Sequence, residues 1–179
     1  MRVIGGQWKG RRIHIPSNSW PARPTTDFAR EALFNILDNR LDYEHIRALD
    51  LFGGTGLHSV ELASRGCRDI TYVDRHRESA QFVKTLAKEW DLPVVAIKSN
   101  VFSFIKKADR QWDYIFADPP YDLKEIDDFP SIIQESSILS PSGTFVLEHI
   151  SKKSFDQVKG FMEARRYGQT VFSFFGLGS

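Results

Sequence analysis

Residues 115–122 read IFADPPYD, an apolar run that ends in an acid, two prolines and an aromatic ring. Neither proline has an N–H to give a ladder, so a strand stops here and its lip is stiff. Asp118 and the carbonyl of Pro119 are then two acceptors held side by side. An exocyclic amine on a nucleobase is a weak nucleophile, because its lone pair is delocalised into the ring. Fixed acceptors on its N–H groups favour the positive charge that develops as it attacks. Pro119 and Pro120 supply that rigidity at low cost in chain entropy. Tyr121 can stack on the face of a base taken out of its helix. Nothing in this scheme requires a raised pKa of Asp118, since the proton can leave after transfer. The plainer alternative is a proline turn with a capping acid.

A second constellation is DLFGGTG, Asp50 to Gly56. Gly53, Gly54 and Gly56 let the backbone turn tightly and approach a ligand closely. A dinucleotide fingerprint aligned on Gly54 and Gly56 would need a third glycine where Ser59 stands, so a pyrophosphate cradle is poorly supported. An adenosyl ligand without phosphates needs less. Asp74 follows Gly56 by 18 residues, close to the spacing of about 20 at which an acid takes ribose hydroxyls. Arg75, next to it, is either a solvated charge or the selector of a 2′-phosphate.

Elements that place these groups follow from the periodicity. From Arg47 onward, short strands apolar on both faces alternate with helical stretches. The strands are RALDLF, DITYVD, VVAIKSN, DYIFAD and TFVLEHI, with helices expected from Leu57, Arg77, Val101, Glu125 and Asp156. This predicts an α/β fold: a doubly wound, Rossmann-like parallel sheet with helices on both faces. QTVFSFFG adds an edge strand. Ligands on such sheets sit outside the carboxyl ends of the strands. Asp50, Asp74, Asn100 and Asp118 all fall on that edge. Ahead of the sheet, RVIGGQWKGRRIHIP predicts a small hairpin around glycine turns. Thr26 or Asp27 is the expected N-cap of a helix whose apolar face carries Phe28, Ala32, Leu33, Ile36 and Leu37. The expected division is a basic N-terminal arm over 1–45 and a ligand-binding domain over 46–179.

Composition narrows the partners. The 179 residues carry a net charge of only +1. Residues 1–30 hold six basic residues against Asp27 alone, a net of +5, which leaves −4 on the other 149. Such asymmetry points to an anionic partner. Lys9, Arg11, Arg12, Arg23 and Arg30 are candidates for phosphate contacts of a nucleic acid. Trp8 and Trp20 either pack beneath the arm or stack on bases. The single Cys67 excludes an internal disulfide and a cysteine-based zinc site. The five histidines show no metal-ligand spacing, and no metal is expected. His149 reads as a satisfied polar residue. No run of about 18 apolar residues suggests a membrane span, and the N-terminus lacks a signal-peptide core. A cytoplasmic monomer is the expectation.

Four stretches together, RVIGGQWKGR, RPTTDFAREALFNIL, LDLFGGTG and ADPPY, resemble the RsmD family. These are S-adenosylmethionine-dependent guanine-N2 methyltransferases of bacterial 16S ribosomal RNA, within the D/N-P-P-Y/F class. The resemblance spans nearly the whole chain, and the first two stretches are the more specific. It implies a class I methyltransferase sheet with S-adenosylmethionine as cofactor and 16S rRNA or the assembled small ribosomal subunit as partner. It implies that Asp50, Gly53, Gly54 and Gly56 line the methionine end of the cofactor and that Asp74, beside Arg75, holds the ribose. Asn100 with Val101 would meet the adenine, and Thr25 and Thr26 would fold over the cofactor. Asp118, Pro119, Pro120 and Tyr121 would hold the guanine. His58 departs from the small apolar residues usual after the family's glycine loop, and TLAKEW stands where the family often has an Asn.

Alternative readings stay open on the residues alone. The acceptor of the methyl group can be an adenine or cytosine amine in RNA or DNA, or a protein amide. An NAD(P) oxidoreductase is disfavoured by the missing glycine and the Pro-Pro-Tyr element. A non-catalytic nucleic-acid-binding module is disfavoured by the intact Asp74 and Asp118.

Overall fold

A computed structural model describes residues 1–16 and 25–177. One seven-stranded sheet organises the chain. Its strands are β1 (Arg47–Leu51), β2 (Asp69–Asp74), β3 (Val94–Lys98), β4 (Trp112–Ala117), β5 (Leu139–Ile150), β6 (Phe161–Tyr167) and β7 (Thr170–Phe175). The spatial order is β3-β2-β1-β4-β5-β7-β6. β1 to β5 are mutually parallel, whereas β7 runs antiparallel to both β5 and β6. The strand order reverses at β1, and β1 and β4 lie side by side with Asp50 opposite Phe116 and Leu51 opposite Ala117. That adjacency brings the glycine loop and the Asp-Pro-Pro-Tyr turn to one place.

Among the described residues, five α-helices accompany the strands: α1 (Asp27–Leu37), α2 (Leu57–Ser64), α3 (Arg77–Trp90), α4 (Val101–Lys107) and α5 (Phe129–Glu135). Two large apolar clusters and a small third one of Tyr72, Ala80 and Val83 hold the layers together among the described residues. Of the large ones, one joins Leu33, Phe34, Val60, Leu62 and Tyr114, and the other Leu49, Trp112, Ile115, Phe129 and Phe145.

Three expectations change. No helix forms from Asp156; turns lead instead into β6. The segment FMEARRY has no fully buried residue, only exposed and half-buried ones, as suits a strand at the edge. β7 is consequently not the edge: it lies buried between β5 and β6, and β6 takes the edge. The buried face of α1 is Ala29, Arg30, Leu33, Phe34 and Leu37. The helix is rolled by about one residue from the expected face, leaving Phe28 69% exposed. There its ring meets Tyr167 edge-on at 5.9 Å.

The N-terminal hairpin is a single antiparallel bridge, Arg2 to Arg12, around a glycine turn. Val3 and Ile13 are buried in the first cluster. Gly6 must be glycine: its φ is +72°, and a Cβ there would lie 1.9 Å from the Ser64 carbonyl oxygen. Glu61, wholly buried on α2, accepts the N–H groups of Ile4 and Gly5. Trp8 packs against the core, its ring 6.4 Å from that of Trp90. Trp20 and Arg23 lie outside the described residues.

Candidate active site

A cavity of about 290 Å³ opens at the carboxyl ends of β1, β2, β4 and β5. The glycine loop forms one wall. Gly53 is there because Tyr72 lies against it: a Cβ at Gly53 would sit 2.3 Å from the Tyr72 ring. The Tyr72 hydroxyl in turn donates to the Gly54 carbonyl at 2.6 Å. Gly56 takes φ +74° and precedes α2 as its N-cap. Before it, Phe52 also adopts positive φ, +55°. For a residue with a side chain this costs on the order of 1 kcal/mol.

Acids from four strand ends line the cavity: Asp50, Asp74, Asp118 and Glu148. Asp74 is buried and fixed from both sides, accepting Gly54 N–H at 2.9 Å and His76 N–H at 2.8 Å. Asp50 is buried and accepts the Ser59 hydroxyl at 2.6 Å. Burial pushes its carboxyl up to about 7, against the lowering effect of Ser59. Ser59 therefore replaces the third fingerprint glycine with a hydroxyl that orients Asp50. Asp118 is half-buried and tied to β1 by its N–H to the Leu51 carbonyl, 3.3 Å away. Its carboxyl is raised well above the ordinary range by burial, then by the neighbouring Glu148 and Asp50. The sequence suggested no such shift. It arises because the fold buries the carboxyl and then gathers acids that are distant in the chain beside it.

Asn100 and Val101 line the cavity at the start of α4, where the Asn100 side chain accepts Ser103 N–H. Thr25 lines it too and donates to Glu148 Oε2 at 2.7 Å. The exposed Arg75 stands at its rim. Thr26 does not line this cavity: its hydroxyl caps α1, accepting Ala29 N–H at 3.2 Å. It lines a second cavity instead, of about 260 Å³, shared with Thr25, Tyr121, Glu148 and Lys152. Pro119, Pro120 and Tyr121 form the remaining lip, with the Tyr121 ring exposed.

Such a site suits an adenosyl group. Asp74 presents a buried carboxylate at a strand end, and the glycine loop lines the same cavity.

The sequence pattern of a family described as conserved hypothetical protein 95 matches residues 1–176. The ribosomal RNA small subunit methyltransferase D of Escherichia coli (strain K12) is 31% identical over 149 residues, which is 83% of this chain and 74% of that protein. The putative rRNA methyltransferase YlbH of Bacillus subtilis (strain 168) is 32% identical over 178 residues, 95% of each chain. A solved structure described as the putative methyltransferase yhhF from Escherichia coli covers 100% of this chain with 98% of its own, at a TM-score of 0.83 and 26% identity. The chain belongs to the RsmD family.

His58, the departure from the RsmD pattern, has a packing role. It is buried, stacks on Phe116 at 3.8 Å and pairs with the Tyr114 hydroxyl at 3.0 Å. Burial holds its imidazole neutral, well below the usual range. Of the basic residues expected to meet RNA, Lys9, Arg11 and Arg12 are exposed. Arg11 is laid over the Trp90 ring at 3.7 Å.

Arg30 is a correction. It is 3% exposed, donates to the Arg2 carbonyl and to Asp27, and pairs with Glu61 at 3.5 Å. It holds the hairpin to α1 and α2 and is not offered to a phosphate on an open face. His149 is satisfied by the Ile150 carbonyl and the Ser173 hydroxyl. Its neighbour Glu148 was missed by sequence reasoning. The rule that located Asp50, Asp74 and Asp118 would have found it, because it is the acid that closes the apolar run of β5.

Proposed function

We propose that the protein is an S-adenosylmethionine-dependent methyltransferase that acts on the exocyclic N2 amine of a guanine in 16S rRNA. The observation that carries this reading is the convergence of Asp118, Pro119, Pro120 and Tyr121 with the glycine loop and Asp74 in one cavity. Its relatives named as small-subunit rRNA methyltransferases support the substrate class.

In this reading Asp74 holds the ribose, Asp50 and the glycine loop face the methionine end, and Asn100 with Val101 meets the adenine. Thr25 closes over the cofactor, and Arg75 stands at the rim. S-adenosylmethionine supplies the electrophilic methyl group on a sulfonium. Asp118 and the Pro119 carbonyl accept the N–H groups of the amine, and Tyr121 stacks on the base. Much of the rate enhancement comes from positioning the two reactants and from acceptors that need not reorganise. Asp118 ionises when donors and positive charge arrive beside it, and it then stabilises the amine as it becomes cationic. Lys9, Arg11 and Arg12 contribute phosphate contacts, which would make binding salt-sensitive.

The direct test is transfer of a labelled methyl group to small subunits from a strain lacking the activity, followed by digestion to nucleosides. Label in N2-methylguanosine is expected. Label in a methylated adenine or cytosine would overturn the guanine assignment.

The same reading gives a pH dependence. With the Asp50 carboxyl at about 7, the free protein holds a proton there below that pH. The positive charges of S-adenosylmethionine favour the carboxylate, so binding expels the proton. Affinity should therefore rise with pH, by up to about tenfold per unit for each proton released, and level off near 7. Calorimetric titration from about pH 5.5 to 7.5 checks this. An affinity that is flat or falling over that range would contradict it.

A further inference from the structure

Glu148 lies near the carboxyl end of β5 beside Asp118, is 2% exposed, and lines both cavities, as do Thr25 and Tyr121. It therefore stands at the junction of the two cavities. The hydroxyl of Thr25 donates to its Oε2 at 2.7 Å and fixes its orientation.

Two acids side by side in a buried site favour a ligand edge that brings two donors. Among the four RNA bases, guanine alone presents adjacent donors on its Watson–Crick edge, N1–H beside the N2 amine. Adenine and cytosine set a bare ring nitrogen, an acceptor, beside their amine. Uracil has no amine. A carboxylate facing that ring nitrogen would meet a lone pair and leave both groups unpaired.

We propose that Glu148 selects the base: its carboxylate accepts the N1–H of the guanine whose N2 amine is held by Asp118 and the Pro119 carbonyl. This rests on the guanine-N2 reading above. In this arrangement Asp118 serves the chemistry and Glu148 the specificity, while Thr25 sets the rotamer of Glu148.

The test compares wild-type protein with Glu148→Gln, which keeps size and shape but adds an amide N–H able to face a ring nitrogen. The substrates are small subunits reconstituted with 16S rRNA transcripts. One carries the guanine that the wild-type protein labels, and the other carries adenine at that position. Glu148→Gln should lower the single-turnover rate on guanine by roughly 10- to 100-fold. It should also raise the adenine-to-guanine ratio of labelled product, with S-adenosylmethionine affinity unchanged. A purely structural role would lower both rates together, so a ratio unchanged from wild type overturns the inference, as does full guanine activity. If Glu148→Gln loses cofactor binding through misfolding, Glu148→Asp carries the test. It keeps the charge, so guanine must still be preferred over adenine, and loss of that preference overturns the inference. Wild-type label in a base other than guanine instead overturns the guanine-N2 reading itself.

Discussion

Replacing Asp118 by alanine is expected to cut methyl transfer by roughly 10²- to 10³-fold, the usual cost of removing one preorganised group from a site where charge develops. The loss should appear in the single-turnover rate. Cofactor affinity should change far less, because Asp74 and the glycine loop carry most of those contacts in the proposed binding mode. Folding stability should not fall in step with activity. Asp118 stands among Glu148 and Asp50, and its carboxyl is raised well above the ordinary range. A raised folded-state pKa means that the folded protein holds the proton more tightly than the unfolded chain. Stability from this group is complete below the unfolded pKa and declines as pH rises through the folded value. At pH 8 the wild-type protein bears that cost and the alanine variant does not. Thermal melts at that pH should therefore show an unchanged or higher Tm for Asp118→Ala. A variant that loses activity because it unfolds would contradict the assignment.

Arg30→Ala should behave in the opposite way. Arg30 and Glu61 form a buried pair in which Glu61 also meets Arg65 at 3.5 Å and accepts the backbone of Ile4 and Gly5. Removing one partner of a buried pair typically costs about 3–5 kcal/mol. The remaining partners of Glu61 argue for the lower end, about 3 kcal/mol. In a chain of this size that corresponds to a drop in Tm of roughly 6–12 °C. The variant would also free the Arg2 carbonyl and so loosen the hairpin. An arginine that only met phosphates would leave the melt unchanged and lower the salt dependence of RNA binding by about one charge. Differential scanning calorimetry separates the two outcomes.

These residues also show what the sequence could and could not reveal. Strands β1 to β4 were legible from apolar runs bounded by turns, because a doubly covered parallel sheet leaves a direct imprint on composition. The strand-end rule then placed Asp50, Asp74, Asn100 and Asp118 on one edge without knowledge of any contact. The C-terminal part was harder. Residues 156–167 have too few apolar positions to distinguish a surface helix from an edge strand, and pairing with β7 decides it. Arg30 looked like one more member of a basic arm. Only the tertiary structure reveals that Glu61, 31 residues away in the chain, draws it inside. The shifted carboxyl of Asp118 has the same origin, since burial, its first cause, and then Glu148 on β5 and Asp50 on β1 all come from the tertiary fold.

The most direct test of the central claim is the fate of a labelled methyl group from S-adenosylmethionine on small ribosomal subunits that lack the modification. Label is expected in N2-methylguanosine of 16S rRNA with the wild-type protein, with near-complete loss in Asp118→Ala. Label in another base, or equal labelling by the Asp118 variant, would contradict it.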